Sequence, residues 1–92
     1  MPRQSKRRLV CGEPVCRRFL PQDPPGEREE ESIRLSVEEL ESLRLCDLEE
    51  LEQGEAAEQM GVSRGTLQRI LYAARKKTAQ ALVAGAELAI GG

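Results

Sequence analysis

Histidine and tryptophan are absent from the 92 residues, and the aromatic content is one tyrosine and one phenylalanine. Without histidine, the side chain that most often serves as general base or metal ligand at neutral pH is missing. With aromatics at 2% against 39% hydrophobic residues overall, a core has to be assembled from Leu, Val, Ile and Ala, which favour helices apart from the β-branched pair. No apolar run approaches the ~20 residues that span a bilayer, and no signal-peptide core follows the basic start Met1-Pro2-Arg3. The expected location is therefore cytoplasmic. Cysteines are few, and Cys11, Cys16 and Cys46 form an odd set that does not suit a secreted disulfide framework. A chain this short is expected to form one domain and to bury too little surface for a deep active-site cleft.

What the sequence does have is charge sorted by position. The net charge of −2 conceals a basic start (Arg3, Lys6, Arg7, Arg8, Arg17, Arg18), an acidic middle from Pro21 to Met60, and a segment from Gly61 to Ala84 that carries Arg64, Arg69, Arg75, Lys76 and Lys77 with no acid. An overall acidic balance does not exclude nucleic acid when the bases are gathered on particular elements.

All five prolines, Pro2, Pro14, Pro21, Pro24 and Pro25, fall within residues 1–32, so this stretch is read as an irregular N-terminal arm, basic and then acidic. Its part from Gln22 to Ser32 has the composition of a mobile linker. The domain proper is assigned to residues 33–92. Ile33-Arg34-Leu35 alternates like a short strand, and Ser36-Val37-Glu38-Glu39 fits a capping box that starts a helix. Val37, Leu40, Leu43, Leu48 and Leu51 would share one helical face, with the helix ending near Glu49 or Glu50. Gln53 to Met60 predicts a second, short helix with Ala56, Ala57 and Met60 inward, ended by Gly61. Ser63 caps a third helix, whose Leu67, Ile70, Leu71, Ala74, Ala81 and Leu82 keep helical spacing to about Ala84, where Gly85 stops it. Glu87-Leu88-Ala89-Ile90 alternates again and could pair with residues 33–35.

A helix-turn-helix needs a small residue where its helices cross, glycine in the turn and apolar residues inside the second helix. Ala57, Gly61, Val62, Leu67 and Ile70 meet these demands in register, which places the motif at residues 53–72. The alternative is an ordinary helical hairpin whose glycine is only a C-cap. With Leu67, Ile70, Leu71 and Ala74 inward, Gly65, Gln68, Arg69, Tyr72 and Lys76 face outward, with Arg64 and Thr66 at the flanks. Arg can grip guanine in bidentate fashion, Gln adenine, and Ser63 or Thr66 a phosphate, while Gly65 lets the backbone approach DNA. Arg75, Lys76 and Lys77 suit phosphate better than bases, although cations near a helix C-terminus are also favoured by its dipole. The arm Arg3 to Arg8 either follows DNA or is a solubilising tail. Glutamates on the first helix would repel phosphate, so that surface should face away from DNA or meet another protein. Cys11 and Cys16 have a permissible metal-ligand spacing, but zinc wants four ligands and Cys46 is only a third. No bound metal or cofactor is expected. No nucleophile-and-base set can be assembled, so the chain is read as not an enzyme.

The run Leu35-Ser36-Val37-Glu38-Glu39-Leu40-Glu41-Ser42-Leu43-Arg44-Leu45, then Glu55-Ala56-Ala57-Glu58-Gln59-Met60-Gly61-Val62-Ser63-Arg64, closely resembles the prokaryotic family known as domain of unknown function 134. Gln68-Arg69-Ile70-Leu71, Ala74-Arg75-Lys76-Lys77, Ala81-Leu82-Val83, Arg8-Leu9-Val10-Cys11, Pro14, Phe19, Pro21 and the closing Gly91-Gly92 extend the likeness over nearly the whole chain. The resemblance implies a DNA-binding protein, and its helix-turn-helix is similar in turn to region four of bacterial sigma factors. Two departures stand out: Glu52-Gln53-Gly54-Glu55 replaces the common Ser-Gln-Glu-Glu at the start of the second helix, and Gly65 stands where the family often has Pro or Thr. Some members of the family carry a further domain resembling the dinitrogenase iron-molybdenum cofactor-binding fold, which is not expected in a chain ending at Gly92.

The expected fold is thus mainly α, a three-helix helix-turn-helix domain with a short two-stranded ribbon. The expected function is sequence-specific binding of double-stranded DNA as a transcriptional regulator. The alternatives are a protein-interaction adaptor using the acidic helix and its Leu face, and a cysteine-based metal or redox sensor. A homodimer is a hypothesis, motivated by the Leu/Ala stripe continuing to Leu82 and by a strand too short to be stable alone.

Overall fold

Ser36 decides where the helical part begins. In the computed structural model, which describes residues 12–23 and 31–91, its hydroxyl accepts a hydrogen bond from Glu39 N at 3.1 Å. The Glu39 carboxylate in turn accepts from Ser36 N at 2.9 Å. This reciprocal pair satisfies two amides that a helix start would otherwise leave open. Helix α1 (Val37–Leu43) follows and runs directly into a π-helical turn, Arg44–Leu48, in which Glu49 N donates to Arg44 O five residues back at 2.9 Å.

That turn corrects the reading of one regular helix carrying Leu48 on its inner face. An extra residue in the turn shifts the later side chains by about 100° around the axis. Leu48 is therefore turned out, at 74% exposure, while Leu45, one turn after buried Glu41 and Ser42, is buried at 2% exposure. The chain leaves the turn through Glu50, whose φ of 61° lies in the left-handed region.

Helix α2 (Gln53–Met60) has no side-chain cap at Glu52 and buries Ala56, Ala57 and Met60, the three residues expected inward. Gly61 closes it at φ 70°, ψ 32°, a conformation that carries a steric cost for any residue with a Cβ. Ser63 then caps helix α3 (Arg64–Ala84), which Gly85 ends in the same left-handed conformation. Leu45, Ala56, Ala57, Met60 and Leu67 form one core cluster, with half-buried Leu51 and Val62 against it. This cluster locks α2 and α3 across their three-residue turn, a helix-turn-helix arrangement.

The remaining core lies between α3, α1 and a small sheet. Strand β2 (Ser32–Leu35) pairs in parallel with β3 (Glu87–Ile90), matching Ile33 with Leu88 and Leu35 with Ile90. Leu35, Ala74 and Ile90 pack together, joined by Val37, Leu40 and Leu43, and Ile33 packs with Ala81 and Ala86. The expected two-stranded ribbon is in fact three-stranded. Strand β1 (Arg18–Phe19), from the segment read as irregular, pairs antiparallel with the other edge of β3. Two residues are too few to show a sequence period. They are held by Ile90 N donating to Arg17 O at 2.8 Å and by Arg18 Nε donating to Glu87 at 2.8 Å. At the end of α3, Ala81 is buried whereas Leu82 is 77% exposed, so the stripe turns away from the core there.

Candidate nucleic-acid interface

Helix α3 has two unlike faces. Leu67, Leu71 and Ala74 are buried and Ile70 half-buried, which fixes the rotation of the helix against α1 and α2. On the opposite side Arg64, Gly65, Gln68, Arg69, Tyr72 and Lys76 are exposed, with Thr66 half-buried at the flank. These are the side chains that the apolar spacing turned outward. Ser63 is exposed too. Its hydroxyl accepts from Thr66 N at 3.1 Å and donates to Thr66 Oγ1 at 3.0 Å, so both hydroxyls take part in ordering the first turn.

The cations divide into two groups. Arg75 donates to both oxygens of Asp47, at 3.1 and 2.6 Å, and the Lys77 ammonium donates to both oxygens of Glu39 at 3.0 Å. Spacing alone offered Arg75 and Lys77 to phosphate; in the structure Arg75 ties the π-helical turn, and Lys77 ties α1, to α3. The hydrogen bonds from Arg75 hold the Asp47 carboxyl below the usual carboxylate range and raise the guanidinium in return. Glu41 is occupied similarly, accepting from Arg44 at 3.0 and 2.9 Å. Arg64, Arg69 and Lys76, by contrast, enter no ion pair among the described residues. Glu39, Glu41, Asp47 and Glu49 are thus engaged with cations, whereas exposed Glu52, Glu55 and Glu58 at α2 enter no ion pair among the described residues, and neither do the cations on the outer face of α3.

Two glycines have no internal reason to be glycine. A Cβ added at Gly65 would meet nothing within 4 Å, and the same holds for Gly54. Each occupies the second residue of its helix, α3 and α2. Both leave bare backbone on a surface where a larger residue would fit.

Gln53 was not anticipated. As the first residue of α2 it is half-buried, and its side-chain oxygen accepts from Gln68 Nε2 at 2.8 Å, joining the two helices on their outer side. A contact between residues 15 positions apart leaves no periodicity signal.

Cys16 and Cys46 are free thiols. Cys16 is exposed and its thiol donates to Arg18 O at 3.2 Å. Cys46 is half-buried, and burial, reinforced by neighbouring Asp47, pushes its thiol up. Cys11 and the arm Arg3 to Arg8 lie outside the described residues, as does most of the linker read at Gln22 to Ser32. Among the described residues no group of three or more Cys, Asp or Glu is placed to hold a metal ion. An apolar groove of about 660 Å³ lies away from the outer face of α3. Its lining includes Val15, Phe19, Val37, Leu40, Leu43 and Leu48.

Comparison with known proteins adds the lineage. Residues 1–92 match the family described as "Protein of unknown function DUF134". The chain belongs to that family. Within DUF134 it is 50% identical over 92 residues to a UPF0251 protein of Syntrophobacter fumaroxidans, covering 100% of this chain and 58% of the relative. It is 51% identical over 84 residues to a UPF0251 protein of Pyrococcus abyssi, covering 91% of this chain and 76% of that one. A UPF0251 protein of Desulforudis audaxviator is 51% identical over 92 residues, covering 100% of this chain and 60% of that relative. The chain therefore spans under two thirds of two of these relatives. No solved structure matches it. No helix among the described residues is long and apolar enough to cross a membrane.

Proposed function

We propose that this DUF134 protein binds double-stranded DNA in a sequence-specific way and regulates transcription, with α3 as the helix that enters the major groove. The observation that carries the reading is the outer face of α3. Arg64, Arg69 and Lys76 stand there outside any ion pair among the described residues, beside Gln68 and a glycine that needs no space. On this reading Arg64 and Arg69 pair with guanine and Gln68 with adenine. Ser63, Thr66, Tyr72 and Lys76 contact the backbone, and Gly65 lets the helix approach closely. The protein acts by binding and not by catalysis, in the cytoplasm. It acts as a homodimer, so that two recognition helices meet successive turns of a palindromic site; light scattering that returned a monomer at high concentration would contradict this part.

The decisive experiment is selection of bound fragments from random duplex DNA. The expected result is a defined consensus. Uniform weak recovery would instead favour a second reading, a protein-interaction adaptor. That alternative rests on one observation, the apolar groove along α1 with Leu48 standing 74% exposed at its side.

A further inference from the structure

The Gln53–Gln68 contact has a chemical direction. Gln68 Nε2 donates one of its two hydrogens to the Gln53 oxygen at 2.8 Å. A free glutamine at the surface of a helix rotates its amide and presents donor and acceptor in either order. One whose Nε2 is tied to a neighbour does not. The tie leaves Gln68 with its Oε1 acceptor and its second Nε2–H donor side by side in one orientation. That pair is complementary to the N6–H donor and N7 acceptor on the major-groove edge of adenine.

The anchor is itself well placed to be rigid. Gln53 is the first residue of α2, half-buried, and α2 is locked to α3 through Ala56, Ala57, Met60 and Leu67. The amide plane of Gln68 is therefore set from α2, not only by its own helix.

We infer that Gln53 is a specificity-determining positioning residue: by accepting from Gln68 Nε2 it fixes the order of donor and acceptor that Gln68 presents, and so directs Gln68 to adenine. This rests on the DNA-reading role of α3 proposed above. Gln53 reads no base itself, and its removal acts through Gln68.

The test uses the full chain and the consensus duplex from selection, together with duplexes carrying each single base-pair change. Wild type discriminates the adenine read by Gln68 by roughly 5- to 150-fold. Gln68→Ala removes that preference. Gln53→Ala removes most of it at the same base pair while leaving the other positions unchanged, and the double variant is no worse than Gln68→Ala. Gln53→Glu keeps an acceptor for Gln68 Nε2 and retains the preference ratio, although its charge lowers affinity for every duplex. Replacing that adenine by 7-deazaadenine, which lacks the N7 acceptor, weakens wild type but hardly affects Gln53→Ala. Circular dichroism of each variant verifies that the helices form.

Several results overturn the inference. If Gln68→Ala abolishes the preference and Gln53→Ala keeps it, Gln53 does not position Gln68, and the DNA-reading role stands. If both Gln53 variants lose preference at every base pair alike, the role is structural. If wild type itself prefers no sequence, the DNA-reading role fails, and the inference fails with it.

Discussion

Replacing Gly65 by alanine adds one methyl group at the second residue of α3, where that methyl would meet no heavy atom within 4 Å. In a helix, alanine exceeds glycine by roughly 0.5–1 kcal/mol, because glycine surrenders more backbone freedom on folding. For a chain of this size each kcal/mol shifts the melting temperature by about 4–8 °C, so Gly65→Ala should melt about 2–8 °C higher. Binding should move in the opposite direction. A methyl group between the backbone and DNA forces the helix outward, which lengthens the bidentate contacts of its neighbours. Affinity for the preferred duplex should fall at least about fivefold, the equivalent of about 1 kcal/mol. Thermal circular dichroism and duplex titration of the same preparation measure both. A lower melting temperature would refute the geometry around Gly65. A higher melting temperature with unchanged affinity would refute its role as a point of close approach.

Other outcomes follow from other parts of the fold. Leu67 is fully buried between α2 and the π-helical turn, so Leu67→Ala should cost about 2–5 kcal/mol by urea denaturation, a large share of what a small domain possesses. Glu50 sits at φ 61°, so Glu50→Gly should leave stability unchanged or raise it by up to about 1 kcal/mol, unlike nearly every other Glu→Gly change in the chain. Asp47 has its folded-state pKa lowered by Arg75. Its pairing therefore adds stability above the unfolded carboxyl value near 3.9 and loses it as pH falls through the folded value. The stability gap between wild type and Asp47→Asn should be about 0.2–1 kcal/mol at pH 7, as for a largely exposed pair, and should close as the pH falls through the lowered folded value. Lys76→Gln should weaken preferred and scrambled duplexes alike and flatten the salt dependence of binding by about 0.9 in slope.

Much of this architecture is legible in the sequence because its signals are local. The capping box at Ser36 to Glu39, the left-handed glycines at 61 and 85 and the serine cap at 63 each act within a few residues, and each sits where expected. The outer face of α3 followed from the spacing of Leu67, Leu71 and Ala74 alone. What was not legible depends on contacts distant in sequence or on a break in periodicity. The π-helical turn at Arg44–Leu48 carries no glycine or proline to announce it, and it turned Leu48 out of the core. Glu50 adopts a glycine-like φ without being glycine. Strand β1 is two residues long, and its pairing depends on β3 at the far end of the chain. Arg75 and Lys77 were indistinguishable from Lys76 in a run of three cations until α1 and its following turn supplied Glu39 and Asp47 as partners.

The claim that α3 reads DNA is tested most directly by measuring Gln68→Ala and Arg69→Ala on the selected duplex and on a scrambled one across a salt series. Each variant should lose about 1 to 3 kcal/mol on the preferred duplex and little on the scrambled one, with the salt slope nearly intact. Unchanged affinity and unchanged preference in both variants would contradict it.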